Sequence, residues 1–229
     1  MKACLENQRY AGGWLRAVAI ALSIAVVTIL PTRLLAQEPP PITYERYDSA
    51  ITVRDDGSFL VREIQQIRFD DVFQSAFAEI PFDLVNSIDA IQLYEGDQPY
   101  EPDSDQPGGF TAYRDGDIMA VEWSFTPTNP GDVRTFVLEY VVEGGLWVYP
   151  DEQIVEWRAV PADRSGIVVE ESTITVTAPA GVTADQLQYT AYGPSYEATV
   201  DSNQVTFTAT ESLPDGVAFQ VQVGMPATA

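Results

Sequence analysis

Apolar and polar residues alternate with a period of two along most of the chain after Ile42. In TFVLEYVV, Phe136, Leu138, Tyr140 and Val142 share one parity, and in STITVTA, Ile174 and Val176 alternate with threonines. QVTFTAT sets Val205, Phe207 and Ala209 against Thr206, Thr208 and Thr210. AFQVQVGM sets Phe219, Val221, Val223 and Met225 against Gln220 and Gln222. Successive side chains of a strand point to opposite faces, so this alternation predicts antiparallel strands with one buried face. No helical period runs over about ten residues beyond the N-terminal leader. The expected fold class is all-β: two packed antiparallel β-sandwich (immunoglobulin-like) units after an N-terminal signal or anchor helix.

Register can be read in AITVRDDGSFLVREIQQIRF, Ala50 to Phe69. A three-residue loop, Asp55-Asp56-Gly57, pairs Val53 with Phe59 and Ile51 with Val61, all on one apolar face. A two-residue loop at Asp56-Gly57 pairs Val53 with Leu60 and sets Phe59 opposite Arg54. A slip of one residue turns every side chain over, so the first register is expected. Gly57 supplies the positive φ of such a loop. The two aspartates then accept local backbone hydrogen bonds and face water, rather than joining Glu63 in a metal or acid/base site. Past Glu63, Ile64 and Ile67 fall on opposite parities, which predicts a bulge or twist there.

Asp115-Gly116 and Ser202-Asn203 read as further turns, and 96–109 and 126–132 as loops dense in proline and glycine. Composition changes at Pro161–Gly166. The expected units are therefore 44–162 and 163–225. A unit of about 60 residues is marginal alone, so the second is expected to pack against the first.

Residues 1–36 read as a signal peptide or N-terminal anchor, and 37–43 as a proline-rich linker. Lys2, Arg9 and Arg16 precede an apolar run of 14 residues, Ala17 to Leu30. A bilayer-spanning helix takes about 20 apolar residues, so the run fits the core of a secretory signal. Cleavage is expected between Ala36 and Gln37. Leu34 stands where a small residue is usual, so membrane association through residues 17–30 of an uncleaved leader is the other expectation. The single cysteine, Cys4, lies in the leader, which leaves the exported part without disulfides or thiol chemistry.

Charge narrows the partners. Of 12 basic and 34 acidic residues, the leader takes four and one, so the remainder carries eight arginines against 33 acids. Such a surface is unsuited to nucleic acid or an anionic membrane. The same acids fit solubility outside the cell, or binding of Ca²⁺ or a basic partner.

Several stretches carry a resemblance. ITVRDDGSFLVREIQQIRFD includes Asp56, Gly57, Ser58, Val61 and Glu63; EIPFDLVNSIDAIQLYEG includes Ile80 and Pro81. VEWSFTPTNPGDVRTFVLEYVVEGGLWVYPDEQIVEWRAV includes Trp123, then Thr135, Phe136 and Tyr140, then Tyr149, Asp151 and Trp157. In this order and spacing, from about Tyr44 to Met225, the chain resembles the bacterial and archaeal predicted membrane protein family known as domain of unknown function twenty-two-oh-seven. The resemblance implies an exported β-rich ectodomain followed by transmembrane helices, with no assigned catalytic residue. Two departures stand out: Ala78-Glu79 replaces the arginine often found before the isoleucine-proline pair, and the sequence reaches GMPATA without a downstream span. The expectation is a secreted domain or one tethered by its leader.

Candidate chemistry is sparse. The chain has no histidine, which removes Ser-His-Asp and Cys-His arrangements and the common zinc sites. Glu122 and Glu156, beside Trp123 and Trp157, are the carboxylates to weigh for hydrolysis; strand alternation turns Glu122 to water and Trp123 to the core. Asp97, Asp103 and Asp105, with Glu95 and Glu101, are the calcium candidates, though their spacing fails the EF-hand pattern. Trp147 and Tyr149 are the candidate ligand surface, joined by Tyr189, Tyr192 and Tyr196, for stacking on sugars; a seam between the two units fits them equally. The expected protein has no catalytic residue and no cofactor. It is an exported, non-enzymatic binding or sensing module at the cell envelope, secreted or membrane-tethered. Its partner is an unknown envelope protein or surface ligand, not nucleic acid. A calcium- or glycan-dependent adhesion or carbohydrate-binding domain is the alternative, and a carboxylate hydrolase the third reading.

Overall fold

In the computed structural model, which describes residues 41–82 and 85–227, the alternating runs form strands throughout. β1 (Ile42–Val53) and β2 (Phe59–Phe69) make the first hairpin, followed by β3 (Ser75–Pro81) and β4 (Ser87–Glu95). The proline-rich loop holds the two-residue strands β5 (Gln98–Pro99) and β6 (Glu101–Pro102). β7 (Gly109–Asp115) and β8 (Ile118–Ser124) form a hairpin, and β9 (Asp132–Glu143), β10 (Leu146–Val148) and β11 (Glu152–Val160) follow. The remaining strands are β12 (Val169–Glu171), β13 (Thr173–Thr177), β14 (Gln188–Tyr192), β15 (Tyr196–Asp201), β16 (Gln204–Ala209) and β17 (Phe219–Pro226).

They form three sheets. A long sheet runs β15-β16-β13-β1-β2-β9-β4-β5, with β12 also on β1. The first small sheet is β3-β8-β7-β6 and the second is β10-β11-β17-β14. Both small sheets cover one face of the long sheet. Phe136 and Tyr140 share a face of β9; Phe136 touches Trp123 of the first small sheet and Tyr140 touches Trp157 of the second. The core lies between these layers, with Ile51, Val61, Val142, Ile174, Val205, Phe207 and Val221 buried as their parity predicts. Each large apolar side chain taken fully out of water contributes about 1.5–3 kcal/mol, so this layer dominates folding.

The first hairpin has the expected register, Val53 against Phe59 and Ile51 against Val61. Gly57 has φ of 81°. Asp56 Oδ1 accepts from the Ser58 backbone N–H (2.9 Å) and hydroxyl (2.7 Å), so the aspartate closes the turn. A Cβ on Gly57 would meet nothing within 4 Å, leaving backbone strain as the cost of a side chain there. Gly57→Ala is expected to lose about 1–2 kcal/mol in urea unfolding; an unchanged midpoint would mean that the turn relaxes freely.

Three expectations need correction. The irregularity expected past Glu63 falls at Gln66–Ile67, but its extra residue is on the partner strand β1, between Tyr44 and Arg46, while β2 itself alternates without a break against β9. Pairing is not wholly antiparallel, because β12 and β13 run parallel to β1. They reach β1 by a crossover from β11 in another sheet, and only a tight hairpin forces antiparallel order. Nor do the sheets part at Pro161–Gly166. β13 from one side pairs with β1 from the other, and β17 pairs with β11. The segment itself is clasped by Arg164, whose guanidinium donates to the carbonyls of Pro161, Ile167, Leu213, Pro214 and Val217. The leader, Cys4 and residues 17–30 lie outside the described residues.

Candidate ligand-binding cleft

β9 belongs to the long sheet and β10 to the second small sheet, so the chain changes sheets at Gly144-Gly145. A Cβ on Gly145 would lie 2.7 Å from the Phe59 ring, so the backbone is pressed onto the core at that point. β10 then accompanies β11 only from Gln153 to Val155. Where it has turned away, a cleft of about 280 Å³ remains. It is lined by Pro81 and Val85, by Gly145, Leu146 and Trp147, and by Glu156, Trp157 and Arg158 of β11 with Gln220 of β17.

Strand parity orients the β11 side chains. Trp157 faces the long sheet, buried edge-on against Phe59 with ring centroids 5.3 Å apart. Glu156 and Gln220 lie on the other face, where Gln220 Nε2 donates to Glu156 Oε1 at 2.5 Å. Leu146 pairs with buried Val155 and turns in, whereas Trp147 pairs with Ile154 and turns out. Trp147 is 48% exposed and Tyr149 51%. Both rings therefore meet solvent over about half of their surface. Only Trp147 lines the cleft; Tyr149 lies past the end of β10, its N–H donating to Glu152 O. Tyr189 and Tyr192 are also exposed, while Tyr196 packs on Phe207 and Phe219.

The other candidates are dispersed. Glu122 on β8 accepts from the Tyr113 hydroxyl at 2.6 Å, in a different sheet from Glu156, so the two carboxylates do not form a pair. Asp97 sits in the turn between β4 and β5, and Asp103 and Asp105 in the loop after β6. Among the described residues no group of three acidic side chains converges in a way that could hold a metal ion. Glu95, beside a shallow hollow at this loop, is engaged by the Tyr100 hydroxyl at 2.6 Å and by Arg134 at 3.2 Å.

One ionisable cluster lies wholly inside the protein. Glu63 is 5% exposed. Tyr47 and Tyr140 each donate to a different carboxylate oxygen at 2.6 Å, and Gln65 Nε2 donates at 3.2 Å. Burial raises the Glu63 carboxyl above its ordinary 4.5, against the lowering effect of these donors. Burial and then the Glu63 charge push the Tyr44 phenol up to about 12, and the same causes hold Tyr47 and Tyr140 well above their ordinary value. Sequence reading passed over this cluster, yet the signal was present: Glu63 and Gln65 share the parity of Val61 and Ile67. Both oxygens being occupied, the cluster fastens β1, β2 and β9 together rather than offering a reactive group.

A family model described as "Predicted membrane protein (DUF2207) N-terminal domain" matches residues 43–225. No curated protein matches the chain. Among solved structures, a proposed protease from Parabacteroides distasonis is 15% identical with a TM-score of 0.49, over 81% of this chain and 40% of that one. A proposed nutrient binding protein from Legionella pneumophila is 9% identical with a TM-score of 0.47, over 79% and 67%. An M1 zinc metallopeptidase from Deinococcus radiodurans is 16% identical with a TM-score of 0.44, over 79% and 42%. This chain thus spans about two fifths of the length of the first and third. At such scores nothing about activity, ligand or partner passes from them to this chain. Among the described residues no helix is long and apolar enough to cross a membrane.

Proposed function

We infer, because the chain belongs to the predicted membrane protein family DUF2207, whose N-terminal domain it matches over residues 43–225, that it acts as an exported, non-enzymatic binding or sensing module at the cell envelope. The observation that carries this reading is the cleft beside β11. It joins an exposed tryptophan to an acid, an arginine and an amide on a rigid sheet, which suits recognition of a ligand. Export is supported by the basic leader and the 14-residue apolar run of Ala17 to Leu30. The net charge of −22 directs the module toward envelope proteins or surface ligands and away from nucleic acid. A glycan-binding form of the same reading draws on the exposed rings of Trp147, Tyr149 and Tyr192.

Fractionation of the native host's cells with N-terminal sequencing tests the reading. A chain beginning at Gln37 outside the cytoplasm, or one that keeps its leader and pellets with membranes, is the expected result. Full-length chain recovered from the soluble cytoplasm would sink it.

A further inference from the structure

We propose that the cleft receives an extended segment of a second protein, which adds as a strand to the open edge of β11 at Glu156–Arg158. This rests on the binding reading above and names the class of ligand.

β11 runs on from Val155 to Val160, but β10 accompanies it only as far as Val155. The bond from Tyr149 N–H to Glu152 O shows which backbone groups of β11 point toward β10's side. With a two-residue repeat, those of Ile154, Glu156 and Arg158 point the same way. Ile154 faces Trp147 of β10. Glu156 and Arg158 face the cleft instead; the register sets Gly145 against Glu156, and past it, among the described residues, no backbone partner meets Arg158 from that side. A row of unpaired donors and acceptors at strand spacing is what an extended peptide completes, with neighbouring hollows taking alternate side chains.

The surroundings favour a peptide. Several other sheet edges are blunted: β5 ends at Pro99, β6 at Pro102 and β3 at Pro81, and β15 carries Glu197 and Asp201, whereas β14, the far edge of the same small sheet, has neither proline nor charge. Proline and charge are the usual guards of an edge. The edge at Glu156–Arg158 lies instead on a cleft of about 280 Å³ that Val85, Leu146 and Trp147 also line. The incoming segment would continue the line that β10 abandons at Gly145, so no new sheet geometry is required. Its charge follows from the host's −22: a net basic segment is attracted, with its cation near Glu156 and not beside Arg158. A glycan would stack on Trp147 and leave the backbone row unused.

Selection of random peptides of about twelve residues on the purified full chain tests the proposal, followed by synthesis of the enriched sequences. The expected peptides are basic. They slow amide exchange at Arg158, and they lose about tenfold or more in affinity when alternate backbone nitrogens are methylated. Because the methyl groups are on the peptide, the folding of the protein is not at stake. Peptides that protect other amides, or that tolerate methylation, overturn strand addition; so does a failure to enrich any. If none enriches but a chitin hexasaccharide quenches tryptophan fluorescence in the native chain and not in Trp147→Ala, strand addition falls and the binding reading stands. If neither peptide nor hexasaccharide binds, both fall.

Discussion

Glu63→Leu is expected to lower the stability of the folded chain by about 2–5 kcal/mol, since each buried donor left without its acceptor costs about 1–3. The leucine fits the apolar surroundings, but it strands the hydroxyl protons of Tyr47 and Tyr140, both buried, and leaves Gln65 Nε2 only its 3.3 Å bond to the Tyr47 oxygen. Glu63→Gln keeps one acceptor oxygen and should lose less. The quadruple change Glu63→Leu, Tyr47→Phe, Tyr140→Phe, Gln65→Leu removes donors and acceptor together and should recover much of the loss. Thermal and urea unfolding read all three; a Glu63→Leu protein as stable as the native one would refute the fastening role.

The same residue predicts a pH dependence. Its folded carboxyl titrates above the ordinary 4.5 because of burial, so between these two values the folded state binds the extra proton. Its contribution is therefore greatest at low pH and declines as pH rises through the folded value. The stability difference between native and Glu63→Gln proteins should widen on acidification toward 4.5. A difference that narrows would place the folded carboxyl below its unfolded value.

Arg164→Ala is expected to cost about 2–4 kcal/mol, since one guanidinium satisfies carbonyls from two separate segments and each buried acceptor left unmet costs about 1–3. Arg164 is 6% exposed, and its backbone N–H is itself held by Asp215 at 2.8 Å. Burial lowers its pKa from the ordinary value, yet arginine keeps its charge inside proteins. Five carbonyl dipoles supply the compensation. Arg164→Lys should restore less than half of the loss, because an ammonium has three donors and no planar fork. Cleavage by added protease near Pro161–Ile167 should rise in parallel. Unchanged stability and cleavage would make the clasp incidental.

Much of the fold was legible before any coordinates. Parity placed Phe136, Leu138, Tyr140 and Val142 inside, as it did Ile174, Val205 and Phe219, because a strand's side-chain period is local geometry. Turn chemistry located the loop at Gly57 and the register it sets. The candidate site was legible only in part. Trp147 was named, but its neighbours Pro81, Val85 and Gln220 come from distant segments, and nothing local announces that they meet. Glu63 shared the parity of the core, but its carboxylate reads as a surface charge unless its donors are known.

The sequence by itself determined the all-β class, the strand faces, the first hairpin and the family resemblance, all of which depend on residues close in the chain or on their order. Tertiary structure alone decided the parallel pairing of β12 and β13 with β1, the clasp at Arg164 and the open edge of β11. Each arises where strands far apart in sequence come together. Backbone hydrogen bonding accepts many partners for a given strand, and only the packed core selects among them.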